Sequence, residues 1–173
     1  MASMRTLHLL LACAFVLASV TSAAAQAPVV ASSDPESLFT DKDPQLHANK
    51  QVVMHVVRDL LEAGHWADLG PKYIDENYIQ HNPLVASGLA PVMKFFGNAK
   101  PKPIPDSKSW QTQVVAVVAE GDLVVVAFKR EMPNPREPGK TYTTTWFDMW
   151  RVRDGKAVEH WDYGTIAAPA QGR

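Results

Sequence analysis

Two short stretches near the C-terminus carry the side chains best suited to moving protons. In Trp146-Phe147-Asp148-Met149-Trp150, strand alternation places Trp146, Asp148 and Trp150 on one face. In Val158-Glu159-His160-Trp161-Asp162 it places Val158, His160 and Asp162 on one face, and Glu159 and Trp161 on the other. Whether the two sets share a face depends on the turn between the strands. A two-residue Asp154-Gly155 loop pairs Val152 with Ala157 and puts Asp148 and His160 on opposite faces. A three-residue Arg153-Asp154-Gly155 loop sets Asp148 opposite His160 and Trp146 opposite Asp162. Gly155 can adopt the left-handed backbone that the bulged, three-residue loop needs, so that register is the expectation. On a concave, covered face the Asp148 carboxyl would be partly desolvated. Burial raises a carboxyl pKa and a nearby imidazolium lowers it, so the pair could exchange protons near neutral pH. A purely structural hydrogen bond from His160 or an indole N–H to Asp148 would use the same residues.

A second group is Tyr78-Ile79-Gln80-His81-Asn82-Pro83, a short strand stopped by proline. Alternation groups His81 with Ile79, which reads as inward, so His81 is a candidate for the same pocket. Asn82 could orient a carbonyl by hydrogen bonding, although Asn-Pro is also a common turn signal. Two histidines and a carboxylate, here His81, His160 and Asp148, form a known metal-ligand set. No HxH or HExxH spacing supports one, so neither a metal nor any other cofactor is expected. His47, His55 and His65 lie along or beside the first helix, with His55 on its polar side. No phosphate loop, nucleotide fingerprint or nucleophile elbow occurs.

The elements that must position these residues are readable from periodicity. Asp43-Pro44 reads as an N-cap followed by proline at the first helical position. Val52, Val53, Val56, Val57, Leu60 and Leu61 then form one apolar stripe, ended by Gly64. A second helix is expected over His65–Tyr73, kinked near Gly70-Pro71. A third over Gly88–Phe96 would place Leu89, Val92, Met93 and Phe96 on one side, making Met93 and Phe96 candidate pocket residues. After a Pro/Lys loop come strands over Trp110–Ala119, Leu123–Glu131, Thr141–Val152 and Ala157–Tyr163. Helices followed by meandering strands indicate an α+β domain, assigned to residues 43–166.

The chain has 173 residues and a formal net charge of −1, so no broad basic surface favours nucleic acid. Residues 1–25 read as a signal peptide: Arg5, the apolar run Leu7–Val20, then Ala23-Ala24-Ala25 before the cleavage point. The expected protein is therefore exported, to a periplasm or beyond, and keeps no stable membrane anchor. Cys13, the single cysteine, lies in that run, so the mature chain would have no disulfide or thiol chemistry. Residues 26–42, rich in Ala, Ser, Asp and Pro, read as a flexible leader, and 167–173 as a tail.

The strings Tyr78-Ile79-Gln80-His81-Asn82-Pro83, Gly88, Phe95-Phe96, Glu120-Gly121-Asp122-Leu123-Val124-Val125, Phe147-Asp148-Met149-Trp150-Arg151-Val152 and Asp154-Gly155-Lys156-Ala157-Val158-Glu159-His160-Trp161-Asp162 resemble, in order and spacing, SnoaL-like proteins of the NTF2-like superfamily. The resemblance spans about His47 to Tyr163. It implies a cone: helices capping a strongly curved sheet around a deep pocket. It also implies chemistry of the polyketide-cyclase kind, an aldol condensation without cofactor in which an acidic residue moves protons. Asp148 is similar in position to that acid, and to the aspartic acid that donates a hydrogen bond to an enolate in related ketosteroid isomerases. The isomerase pattern is incomplete here: valines face the sheet from the first helix where a tyrosine would be needed, and His81-Asn82 stands where a base aspartate would be. The sequence thus leaves two readings. One is a proton-transferring enzyme using Asp148, His160 and His81, with Asn82, Trp146, Trp150, Met93, Phe96 and Asp162 around a small apolar carbonyl compound. The other is a binding or carrier protein with the same pocket and no turnover. Homodimerisation through the outer sheet face, with Trp161 exposed on it, is expected of this superfamily.

Overall fold

The computed structural model describes residues 26–98 and 100–166. The proposed signal segment and the tail lie outside the described residues. Three α-helices, α1 (Pro44–His55), α2 (Trp66–Tyr73) and α3 (Leu89–Phe96), pack on a curved five-stranded sheet. The strands are β1 (Ile74–Gln80), β2 (Val114–Glu120), β3 (Leu123–Pro133), β4 (Thr141–Arg153) and β5 (Lys156–Trp161), in the order β1-β5-β4-β3-β2. The β1–β5 pair is parallel and the other three pairs are antiparallel. This is the expected α+β cone. Among the described residues no helix is long and apolar enough to cross a membrane.

Local chemistry explains the first element. The Asp43 carboxylate accepts the N–H groups of Gln45 and Leu46 at 2.8 and 3.0 Å, capping donors that the helix start leaves free. The stripe foreseen as one regular helix changes pitch instead. Residues Val56–Glu62 form wide π-type turns, with Ala63 N–H donating to Arg58 C=O at 3.0 Å. That widening lets Val56, Val57 and Leu61 all line one cavity. It also buries Asp59, which is held by His55 at 2.8 Å and Arg58 at 2.7 Å. His55, expected to be solvated, is instead paired with Asp59 and stacked on Tyr73.

Residues 26–42 are not a loose leader. Phe39 is fully buried and meets Trp110 edge to face at 5.7 Å. Ser32 N–H donates to Val114 C=O at 2.8 Å, which lays the segment along the β2 edge. Phe39, with Leu38 packed beside it against the core, anchors the stretch, because burying these apolar side chains offsets the cost of ordering the backbone around them.

Candidate active site

The sheet register decides which side chains meet. Asp154 and Gly155 have φ of 49° and 73°, and Arg153 pairs with Lys156. The turn is therefore the tight two-residue type, not the three-residue loop expected. The extra residue enters one step later: Val152 pairs with Ala157 but Arg151 pairs with Glu159, leaving Val158 bulged. Beyond it Trp150 faces His160. Trp146, Asp148, Trp150, His160 and Asp162 consequently all line one cavity of about 530 Å³ between sheet and helices. The shared face is as expected, but its origin is a bulge at Val158 rather than at Gly155, and the residue opposite His160 is Trp150, not Asp148 as expected.

The polar floor of this cavity holds two separate hydrogen-bonded groups. Trp146 Nε1–H donates to Asp148 Oδ1. Asn82 Nδ2 donates to Asp162 Oδ2 at 2.7 Å, and Gly164 N–H to Asp162 Oδ1, also at 2.7 Å. Asn82 Oδ1 in turn accepts Leu84 N–H at 2.9 Å, so the Asn-Pro turn and the site contact come from one side chain. His160 Nδ1 meets Gln80 Oε1 at 2.8 Å. His160 Nε2 lies 3.9 Å from Asp148 Oδ1, outside hydrogen-bond range, and has no partner among the described residues although it is buried. Arg130 sits at the edge of the cavity, its guanidinium 4.0 Å from the centre of the Trp146 ring.

Electrostatics follow from burial. Loss of solvent pushes the Asp148 carboxyl up to about 7, aided by the nearby Asp162 charge and opposed by the Trp146 N–H and by Arg130. Loss of solvent pushes His160 down to about 4, against the pull of Asp162. Near neutral pH the floor therefore holds a neutral imidazole beside a carboxyl poised between its two forms. Desolvation also pushes the Tyr78 phenol up, so it stays protonated on the cavity wall.

Two expected site residues lie elsewhere. His81 is on the outer face, where its Nε2 meets Glu159 Oε1 at 2.9 Å and its ring stacks on Trp161 at 5.0 Å. The alternation was right but the direction was reversed: Ile79 is 47% exposed, whereas Tyr78 and Gln80 turn inward. Met93 packs against Gly70 on the far side of α3, while Phe96 does line the cavity and stacks on Trp66. The residues not foreseen are Gln80, Tyr78 and Arg130. A glutamine in a strand has no distinguishing pattern until pairing of β1 with β5 sets Gln80 beside His160. On the outer face Trp161 is flanked by His81 and Arg151, not bare.

Asp148, His160 and Asp162 offer three ligand atoms within 4.8 Å of one another. Both carboxylates also accept N–H groups, Asp148 through Oδ1 and Asp162 through both oxygens, contacts that a ligating carboxylate can keep.

Residues 54–160 match the SnoaL-like domain, and the chain belongs to that family. No curated protein matches the sequence. Among solved structures, a protein described as a SnoaL-like polyketide cyclase from Jannaschia sp. CCS1 is similar at a TM-score of 0.50 and 19% identity, over 72% of this chain and 90% of that one. An LEH-like epoxide hydrolase from M. tuberculosis is similar at a TM-score of 0.50 and 12% identity, over 72% and 83% of the two chains. At these identities the likeness establishes the fold.

Proposed function

We propose that this protein takes one small, largely apolar carbonyl compound into the cone and moves protons on it without a cofactor. Asp148 is the acid/base and His160 its partner. A protonated Asp148 can give a hydrogen bond, and then a proton, to the oxygen of a developing enolate, while the lone pair of His160 Nε2 accepts the proton leaving carbon. The observation that carries this reading is the Asp148 carboxyl itself: buried among Trp146 and Trp150, close to Asp162, and holding its proton to about 7. A carboxyl balanced near working pH is what general acid–base catalysis requires. One of the similar structures is described as a SnoaL-like polyketide cyclase, a description compatible with this reading.

The test is hydrogen–deuterium exchange into a panel of small ketones in D₂O with the full mature chain. The reading expects exchange at the carbon next to the carbonyl, and Asp148→Asn to slow it by about a hundredfold or more. Silence across the panel, with binding retained, would leave the second reading, a carrier with the same pocket. One observation favours that alternative: the 3.9 Å gap between His160 and Asp148 means the pair makes no direct hydrogen bond. We also propose export through the N-terminal segment, and pairing of two copies through the outer sheet face, where Val118 and Phe147 are exposed at 63% and 55%.

A further inference from the structure

The unpartnered His160 Nε2 points to the kind of group the cavity floor receives. Gln80 Oε1 accepts two contacts, His160 Nδ1 at 2.8 Å and the backbone N–H of Asn82 at 3.1 Å. A backbone N–H can only donate, so the atom facing it must be the amide oxygen, not the amide nitrogen. That fixes the orientation of Gln80. The ring nitrogen meeting the same oxygen must then carry the hydrogen, so a neutral His160 is the Nδ1–H tautomer and its Nε2 is a bare lone pair. The arrangement is anchored by the fold: β1 and β5 run parallel with Gln80 beside His160, and His81 N–H donates to His160 C=O at 3.0 Å.

The bare Nε2 is buried and faces Asp148 Oδ1 across 3.9 Å. This distance is too long for a direct hydrogen bond. It suits one oxygen atom seated between the two at about 2.7–2.8 Å from each, once the side chains that close off Nε2 shift aside to admit it. Such an oxygen must donate to Nε2, so it must carry a hydrogen. A carbonyl oxygen cannot do this; a hydroxyl or a water molecule can, keeping lone pairs for a protonated Asp148, and of the two only the hydroxyl brings an apolar body to the surrounding aromatic wall.

We infer that Gln80 is a positioning residue that locks His160 as the Nδ1–H tautomer, and that the Nε2–Asp148 gap is a seat for a hydroxyl group of the ligand. The inference rests on the reading of this cavity as the working site and narrows its ligand class to hydroxylated carbonyl compounds, such as β-hydroxy ketones. In such a molecule the hydroxyl occupies the seat and the apolar body lies against Trp146, Trp150 and Phe128.

The experiment has two arms on the same protein. Long-range ¹H–¹⁵N spectra of histidine-labelled mature chain read the tautomer directly. His160 is expected to show a protonated Nδ1 and a bare Nε2; Gln80→Leu shifts it towards the Nε2–H form, and Gln80→Glu keeps Nδ1–H. The second arm titrates 1-indanol against 1-indanone by chemical-shift change. The wild type is expected to bind the alcohol about tenfold more tightly than the ketone. Gln80→Leu erases or reverses that preference, because an Nε2–H would donate to the ketone. A protonated Nε2 in the wild type, or equal affinity for the two probes, overturns the inference. An absence of deuterium exchange with the tautomer and alcohol preference intact would instead remove the catalytic reading and leave the hydroxyl seat standing.

Discussion

Asp148→Asn removes the one carboxyl whose proton the fold holds far above its ordinary range, and the consequence is a change in how stability depends on pH. In the unfolded chain Asp148 titrates near 3.8; in the fold it titrates at about 7. The native state therefore binds more protons between these values, and stability falls as pH rises through them. At about 1.4 kcal/mol per pH unit, the full penalty above neutrality is on the order of 4 kcal/mol, of which roughly 2–3 kcal/mol accrues between pH 5 and 8. His160 works in the opposite sense. Its ordinary value of 6.5 drops to about 4 in the fold. The unfolded chain then binds more protons, and stability rises with pH across that window by about 2 kcal/mol from pH 5 upward. In the wild type the two trends nearly cancel. In Asp148→Asn only the histidine trend remains, and the amide oxygen still accepts the Trp146 N–H. Urea unfolding of both proteins at pH 5, 6, 7 and 8 tests this. The stability of the variant relative to wild type should improve by roughly 2–3 kcal/mol from pH 5 to pH 8. Parallel pH curves for the two proteins would refute the claim that the fold burdens itself with this carboxyl.

Two further outcomes follow from packing. Phe39→Ala should cost about 3–5 kcal/mol in urea unfolding, because Phe39 is fully buried against Trp110; a loss below about 1 kcal/mol would mean that residues 26–42 are dispensable to the domain. Phe147→Glu should convert the mature protein from dimer to monomer in sedimentation velocity, if the exposed outer face is where copies meet; a monomeric wild type would remove that proposal.

Much of this architecture was legible because its signals are local. Asp43-Pro44 announced a helix start through side-chain chemistry confined to the next three residues, and the cap is present. Alternation in the last hairpin correctly grouped Asp148 with Trp146 and Trp150. What alternation cannot supply is register across a turn, since both candidate loops need Gly155 at positive φ. The bulge at Val158 has no local marker, because valine suits a regular strand equally well. His81 and Gln80 exchanged roles for a related reason. The sequence assigns them to opposite faces but not which face is covered; the buried Tyr78 settles that only once α3 and β5 are in place. Phe39 was missed because composition averaged over residues 26–42 hides one anchoring ring. The Gln80–His160 contact joins residues 80 positions apart and could be seen only in the folded chain.

The central claim is that Asp148 is a buried acid that keeps its proton to neutral pH on the covered face of the sheet. A ¹³C titration of the aspartate side-chain carboxyls in the folded mature chain reads this directly, with Asp148→Asn assigning the resonance. The account predicts one carboxyl with a midpoint near 7 that vanishes in the variant. A midpoint for Asp148 in the ordinary carboxylate range, near 4, would contradict it.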